Sequence, residues 1–255
     1  MMKSNFLIKQ YNNDLKKSVK HNYLAEQFFD YNKIFKKIKA VVKKGDYTLG
    51  NEVIKFQENI KKITGAKYCL GVGNGTDALY LALKALNIKT GDEVITTPYT
   101  FIATVASIAT VGAKPVFVDV KDDYNIDENL IEKAITRKTR AIMPVHWSGR
   151  PCEMTKIKKI AKKYNLKIIE DSADTLGATI NKKSTGIFSD ISITSFYGSH
   201  VISCAGNGGM FLTNDKNLFN RAKVLRSWGR MSTLIKDSEN INKRLDIKLN
   251  GFDYD

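Results

Sequence analysis

From Lys67 onward the chain alternates in a way that few folds can satisfy. KYCLGVG (67–73) is a short apolar run closed by glycines, as a buried strand would be. TDALYLALKALNI (76–88) has apolar residues at helical spacing, with Asp77 in its first turn where the helix dipole favours an acid. Strand-like runs recur at 92–98, 114–120, 139–146 and 167–172. Helical patterns separate them at 101–110, 126–135 and 154–164. Strand, helix, strand, helix with short polar connections means crossover units and a mostly parallel sheet. The pattern then changes. DISITSF (190–196) and GGMFLTND (208–215) are divided by a Gly-rich segment with no room for a helix, and a helix follows through 218–228. The fold class is therefore α/β, with ligands expected at the carboxyl ends of the strands.

Residues 1–44 read as a Lys- and Asn-rich helical arm, with Phe28, Phe29, Tyr31, Ile34 and Phe35 at roughly helical spacing. Residues 45–230 form the main domain, and 231–255 begin a connection that closes no element. Val94 to Ala113 carries no charge, but its five Thr, one Pro and one Gly suit a buried strand, loop and helix better than a membrane span.

Composition narrows the partners. The net charge is +15, but 34 of the 41 basic residues are Lys, spread along the whole chain. Nucleic-acid binders concentrate Arg on one stripe, so a compositional bias with solvated lysines is the better reading, and no nucleic-acid partner is expected. Three cysteines give no disulfide framework and favour a reducing cytoplasm. No paired ligand spacing among Cys and His points to zinc or another metal.

Taken singly, the motifs are weak. GVGNGTDAL (71–79) brings glycines straight into a helix start, a ready phosphate site. It lacks the third glycine of a dinucleotide fingerprint and the Gly-Lys of a Walker loop. Glu170-Asp171 ends a buried strand, as a cap or as a partner for a cationic ring. His200 sits between an apolar strand and a Gly-rich turn, without the elbow of a Ser/His/Asp hydrolase.

In combination they are specific. GDYTLG, GVGNGTDAL, TTPYTFIATVASIATVGAKPVFVDV, PVH with GRP and EM, IIEDSADTLGA and TGIFSDISITSFYGSH with GNGGM follow one another over about residues 45–230. In order and spacing they resemble the DegT/DnrJ/StrS family of pyridoxal-phosphate enzymes that modify nucleotide-linked sugars, of the aspartate-aminotransferase fold type. The resemblance implies a large cofactor-binding domain with helices on both faces of the sheet. It implies that the amides of Thr76 and Asp77 and the Thr76 hydroxyl hold the cofactor phosphate, with Gly75 allowing close approach and Ser195 adding a contact. Phe101 matches the aromatic that stacks on the pyridine ring. Asp171 matches the carboxylate on the ring nitrogen, and Asp174 stands where the aminotransferases commonly carry a glutamine.

The largest departure is His200, which occupies the position of the lysine that links to the cofactor. Histidine can still exchange a proton near neutral pH. The resemblance is thus to the sugar 3-dehydratase branch, with pyridoxamine phosphate (PMP) or pyridoxal phosphate (PLP) held non-covalently. The substrate implied is a nucleotide-activated 4-keto-6-deoxy sugar on a route to lipopolysaccharide or polysaccharide sugars. Cysteines that hold an iron–sulfur cluster in one subgroup would fall at Ala173 and within Met231–Leu234, so no cluster is expected. Two further readings stay open. One is a glutamate-dependent sugar aminotransferase with a displaced lysine, Lys182 or Lys183 being nearest. The other is an inactive relative serving as a binding subunit. The family also implies a homodimer. Against it, 255 residues are a deficit, which predicts a fragment lacking the small C-terminal domain and an exposed apolar surface where that domain would sit.

Overall fold

The computed structural model describes Phe28, residues 30–200 and residues 202–234. Much of the expected arm (1–27 and Phe29), Val201 and the tail 235–255 lie outside the described residues. Two helices come first, α1 (Tyr31–Lys44) and α2 (Asn51–Thr64). Each ends on a glycine in the left-handed region, Gly45 at φ 65° and Gly65 at φ 71°, where a Cβ would be strained. Then follow β1 (Tyr68–Val72), α3 (Gly75–Ala85), β2 (Glu93–Thr96), α4 (Ile102–Thr110), β3 (Lys114–Phe117), α5 (Ile131–Ala134) and β4 (Thr139–Ile142). The chain continues through α6 (Met154–Lys163), β5 (Lys167–Asp171), the short β6 (Thr179–Ile180) and β7 (Lys183–Ser184), β8 (Ile191–Ser195), β9 (Gly209–Thr213) and α7 (Lys216–Arg226).

Seven strands make one sheet in the order β1-β9-β8-β5-β4-β2-β3. All neighbours are parallel except β9, which runs antiparallel to both β1 and β8. This is the mostly parallel α/β sheet that the alternating pattern predicts. Strands β2, β5, β8 and β9 are buried along almost their whole length because both faces of the sheet are covered there. Neighbouring residues therefore enter different cores. Val94, Ala141 and Ile169 pack with Leu79, Leu83 and Phe211 under α3, while Ile95, Ile142 and Ile168 pack with Met154 and Ile157 of α6. A third cluster, Ile60, Cys69, Phe196, Met210 and Leu212, seats α2 at the β1–β9 end.

The helix expected over 126–135 is cut to Ile131–Ala134. Ile126 instead bridges Val120, the Asp127 amide donates to the Asp119 carbonyl at 2.8 Å, and the Asp127 side chain takes the Asn129 amide at 2.9 Å. The Asp side chain thus offers the backbone an alternative to the helix. The β6–β7 hairpin was not foreseen. Its turn needs two left-handed residues, and Asn181 (φ 50°) and Lys182 (φ 63°) supply them. Uncharged residues 94–113 fall in β2, a loop and α4, and among the described residues no helix is long and apolar enough to cross a membrane.

Candidate active site

β1, β2, β4, β5 and β8 all point their carboxyl ends to one edge of the sheet, and the expected site residues gather there. α3 starts directly after β1. Asn74 caps it, its Oδ1 accepting from the Asp77 amide at 2.8 Å and its Nδ2 donating to Asp77 Oδ2 at 2.9 Å. The cap engages the Asp77 amide, so the donors left unpaired at the helix start are the Gly75 and Thr76 amides, not the Thr76 and Asp77 amides that the resemblance implies. Gly75 is required by a close approach: a Cβ there would lie 2.8 Å from Ser195 Cβ and 3.0 Å from its Oγ. The end of β8 is thereby pressed against the first turn of α3. Ser195 is buried and its Oγ accepts from the Tyr197 amide at 3.3 Å.

Asp171 ends β5 and is 4% exposed. Its Oδ2 accepts from Thr104 Oγ1 at 2.8 Å, and its Oδ1 from the Ala173 amide at 3.3 Å. Thr104 has one hydroxyl proton, so Thr100, 2.8 Å away, donates to it in turn. Burial pushes the Asp171 carboxyl above the ordinary range, and the Thr104 and Ala173 hydrogen bonds only partly offset this. Thr104 belongs to α4, whose N-cap is Phe101. That ring is 75% exposed, a large aromatic left on the surface beside a buried acid.

His200 and Asp174, 26 positions apart, are brought together. His200 Nδ1 pairs with Asp174 Oδ1, and the two side chains are 20% and 47% exposed. Both line a small cavity of about 80 Å³ with Ala173, Leu176, Ser195 and Ile202. The carboxylate fixes the imidazole tautomer, with the proton on Nδ1 and the lone pair on Nε2. Lys182 and Lys183 sit on the exposed β6–β7 hairpin and do not line this cavity.

Behind the edge lies a second buried pair that sequence reasoning left unassigned. His146 Nε2 is 2.9 Å from Glu170 Oε2, and both side chains are fully buried. The Cys152 amide donates to His146 Nδ1 at 3.2 Å, so Nε2 carries the proton toward Glu170, which also takes the Gly186 amide at 2.8 Å. Through its own amide His146 donates to the Asp171 carbonyl at 3.1 Å, locking β4 to β5. Thr104 too was missed, because a threonine in an apolar helix shows its partner only once the helix packs on the sheet. A larger open groove of about 800 Å³, lined by Tyr47, Val53, Phe56, Tyr80 and Trp228 among others, lies beside the start of α3.

The chain is 42% identical over 224 residues to the dTDP-3-amino-3,6-dideoxy-alpha-D-galactopyranose transaminase of Aneurinibacillus thermoaerophilus, covering 84% of this chain and 62% of that one. The structure of DesV from S. venezuelae superposes with a TM-score of 0.80 at 35% identity, over 83% of this chain and 58% of that chain. A GDP-4-keto-6-deoxymannose-3-dehydratase with bound GDP-perosamine superposes with a TM-score of 0.72 at 29% identity, over 76% and 52%. This chain thus spans about three-fifths or less of the length of these relatives. The model of the DegT/DnrJ/EryC1/StrS aminotransferase family matches residues 30–251, and the chain belongs to that family.

Proposed function

We propose that this chain binds PMP or PLP without a covalent link and uses His200 as the proton-transferring base in 3-dehydration of a nucleotide-activated 4-keto-6-deoxy sugar. The observation that carries the reading is the His200–Asp174 pair in the cavity beside Ser195. The residues present suit the cofactor. The unpaired Gly75 and Thr76 amides, the Thr76 hydroxyl and Ser195 would take its phosphate. The bare Phe101 ring would stack on the pyridine. Asp171, desolvated and with no lysine or arginine paired to it among the described residues, suits a protonated ring nitrogen. When bound, the cofactor supplies an electron sink and an amine for the keto sugar.

The chain's own work is proton handling. Asp174 holds the Nδ1 proton, so Nε2 is the atom that takes up a proton from the reacting carbon and delivers it to the departing 3-hydroxyl, which leaves as water. Asp171 would hold the cofactor's ring nitrogen protonated, Thr104 and Thr100 orient that carboxylate, and burial excludes water from it.

Amino transfer from glutamate is the second reading, favoured by the names of the relatives: the transaminase above, and a GDP-perosamine synthase of Escherichia coli O157:H7, 44% identical over 181 residues. Mass analysis separates the two. Purified protein with PMP, glutamate and a nucleotide 4-keto-6-deoxy sugar should give a product lighter by one oxygen atom, since the 3-hydroxyl leaves as water while the cofactor amine would supply two electrons and end as ammonia. A product that has instead gained an amine selects transamination. Borohydride tests the link: cofactor trapped on the protein would sink the non-covalent reading. No cofactor binding at all would favour a binding subunit. A cytoplasmic homodimer accompanies the proposal, in line with three free cysteines, two of them buried.

A further inference from the structure

The same edge of the sheet carries three aromatic rings that the chemistry above leaves unused. Tyr99 lies between β2 and α4, Tyr124 between β3 and α5, and Trp147 just after β4. The Tyr99 ring is 5.1 Å from Tyr124 at an interplanar angle of 26°, and 4.4 Å from Trp147 at 49°. Aromatic rings that gather for stability are normally withdrawn from water. Here Tyr99 is 44% and Tyr124 51% exposed. Among the described residues neither phenol hydroxyl has a hydrogen-bond partner.

The backbone around the rings is held in place. The Trp147 amide donates at 3.0 Å to Oδ1 of the fully buried Asn125, whose Nδ2 donates to the Arg150 and Pro151 carbonyls. Tyr124 has φ 65° and Ser148, next to Trp147, has φ 50°. Non-glycine residues in the left-handed region cost energy and persist where the surroundings over-determine them, often at ligand sites. At the rim stands the exposed Arg150 guanidinium, 3.6 Å from Asp123. The wall is close to the site: Tyr99 is two residues before Phe101, and Trp147 follows His146, whose amide holds Asp171.

Flat rings with free hydroxyls and a guanidinium at the rim match a ligand that joins a flat heterocycle to an anionic linker. We infer that Tyr99, Tyr124 and Trp147 form the subsite for the base of a nucleoside diphosphate, with Arg150 toward the diphosphate. The inference rests on the nucleotide-sugar reading above and adds where the nucleotide is read.

The chain has two tryptophans, so Trp228→Phe leaves Trp147 as the sole indole reporter. In that background dTDP and GDP are titrated against Trp147 emission, with ribose 5-phosphate and inorganic pyrophosphate as probes lacking a base. A nucleoside diphosphate should quench saturably and the base-free probes should not. Tyr99→Leu should weaken its binding about ten-fold, the scale of one lost base-stacking contact, while Tyr99→Phe retains it. Equal quenching by pyrophosphate, or an unchanged nucleotide affinity in a Tyr99→Leu protein with a normal melt, overturns the subsite. Cofactor binding, followed by absorbance in the same samples, keeps the two readings apart. A chain that takes PMP but ignores both nucleotides overturns the subsite alone; one that binds nucleotide at Trp147 but no cofactor overturns the cofactor reading alone.

Discussion

Two carboxylates, Glu128 before α5 and Asp171 at the end of β5, are 3% and 4% exposed, yet their surroundings treat them oppositely. Around Glu128, Lys156 Nζ lies 2.8 Å from Oε1 and Lys121 Nζ 2.9 Å from Oε2. Burial pushes its carboxyl up, but the two ammonium groups outweigh that and hold it at about 2. Asp171 receives one hydroxyl and one amide, and among the described residues no lysine or arginine pairs with it. Its carboxyl stays above the ordinary range. The first region is electrostatically complete. In the second, no lysine or arginine among the described residues pairs with the acid, which is the charge that the proposed cationic ring would supply.

The largest effect should come from removing the acid of the incomplete region. Asp171→Asn should weaken PLP or PMP binding at least about a hundred-fold, because a buried ring cation would lose its partner. The apo protein should respond in the opposite direction. Asp171 has a raised carboxyl, so it favours the fold at low pH and loses that contribution as pH rises from the ordinary carboxylate range. Asp171→Asn should therefore flatten the fall in apo melting temperature above that range. Equal loss of apo stability at every pH would mean that Asp171 is simply structural.

The same operation in the complete region should do the reverse. A carboxyl at about 2, against roughly 4.3 for an ordinary Glu, is worth about 3 kcal/mol in favour of the folded charged form. Glu128→Gln should cost about 2 kcal/mol at neutral pH by urea unfolding, since the two lysines lose their partner. The loss should vanish as pH falls from about 4 toward 2. Cofactor binding should not change.

The sequence shows only part of this contrast. Strands at 92–98 and 190–196 are legible because Val94 and Ile95, and Ile191, Ile193 and Phe196, place β-branched and aromatic residues among small Ser and Thr that the covered sheet also buries. The helix over 126–135 fails because Asp127 bonds locally, a competition that periodicity does not register. Asp171 and His200 are marked by motif, but the contact of Asp174 with His200 depends on how the turn after β8 folds back over the end of β5. Thr104, whose hydroxyl reaches Asp171, looks like any threonine in an apolar helix until α4 packs against β5.

Thr104 sharpens the comparison at smaller amplitude. Thr104→Val keeps the shape and removes the hydroxyl, leaving Asp171 Oδ2 without its donor. The expected cost is about 1–2 kcal/mol at neutral pH, the scale of a buried acceptor left unsatisfied. It should shrink at low pH, where Asp171 takes up a proton. A loss that ignores pH would assign Thr104 to packing alone.

The smallest effect belongs to an exposed ion pair with one lysine where the Glu128 clamp has two. Lys163 Nζ lies 3.1 and 3.0 Å from the two Glu132 oxygens, and Tyr164 Oη reaches Oε2 at 3.3 Å. The side chains of Lys163 and Glu132 are 60% and 41% exposed. The Glu132 hydrogen bond raises the Lys163 ammonium, but solvent and salt screen the charges, and two long side chains lose rotamer freedom in pairing. Lys163→Met should leave the melting midpoint within the scatter of repeat measurements, at low salt and at high salt alike. A salt-dependent drop as large as that of Glu128→Gln would show that neither burial nor a second lysine sets the worth of a paired acid in this protein.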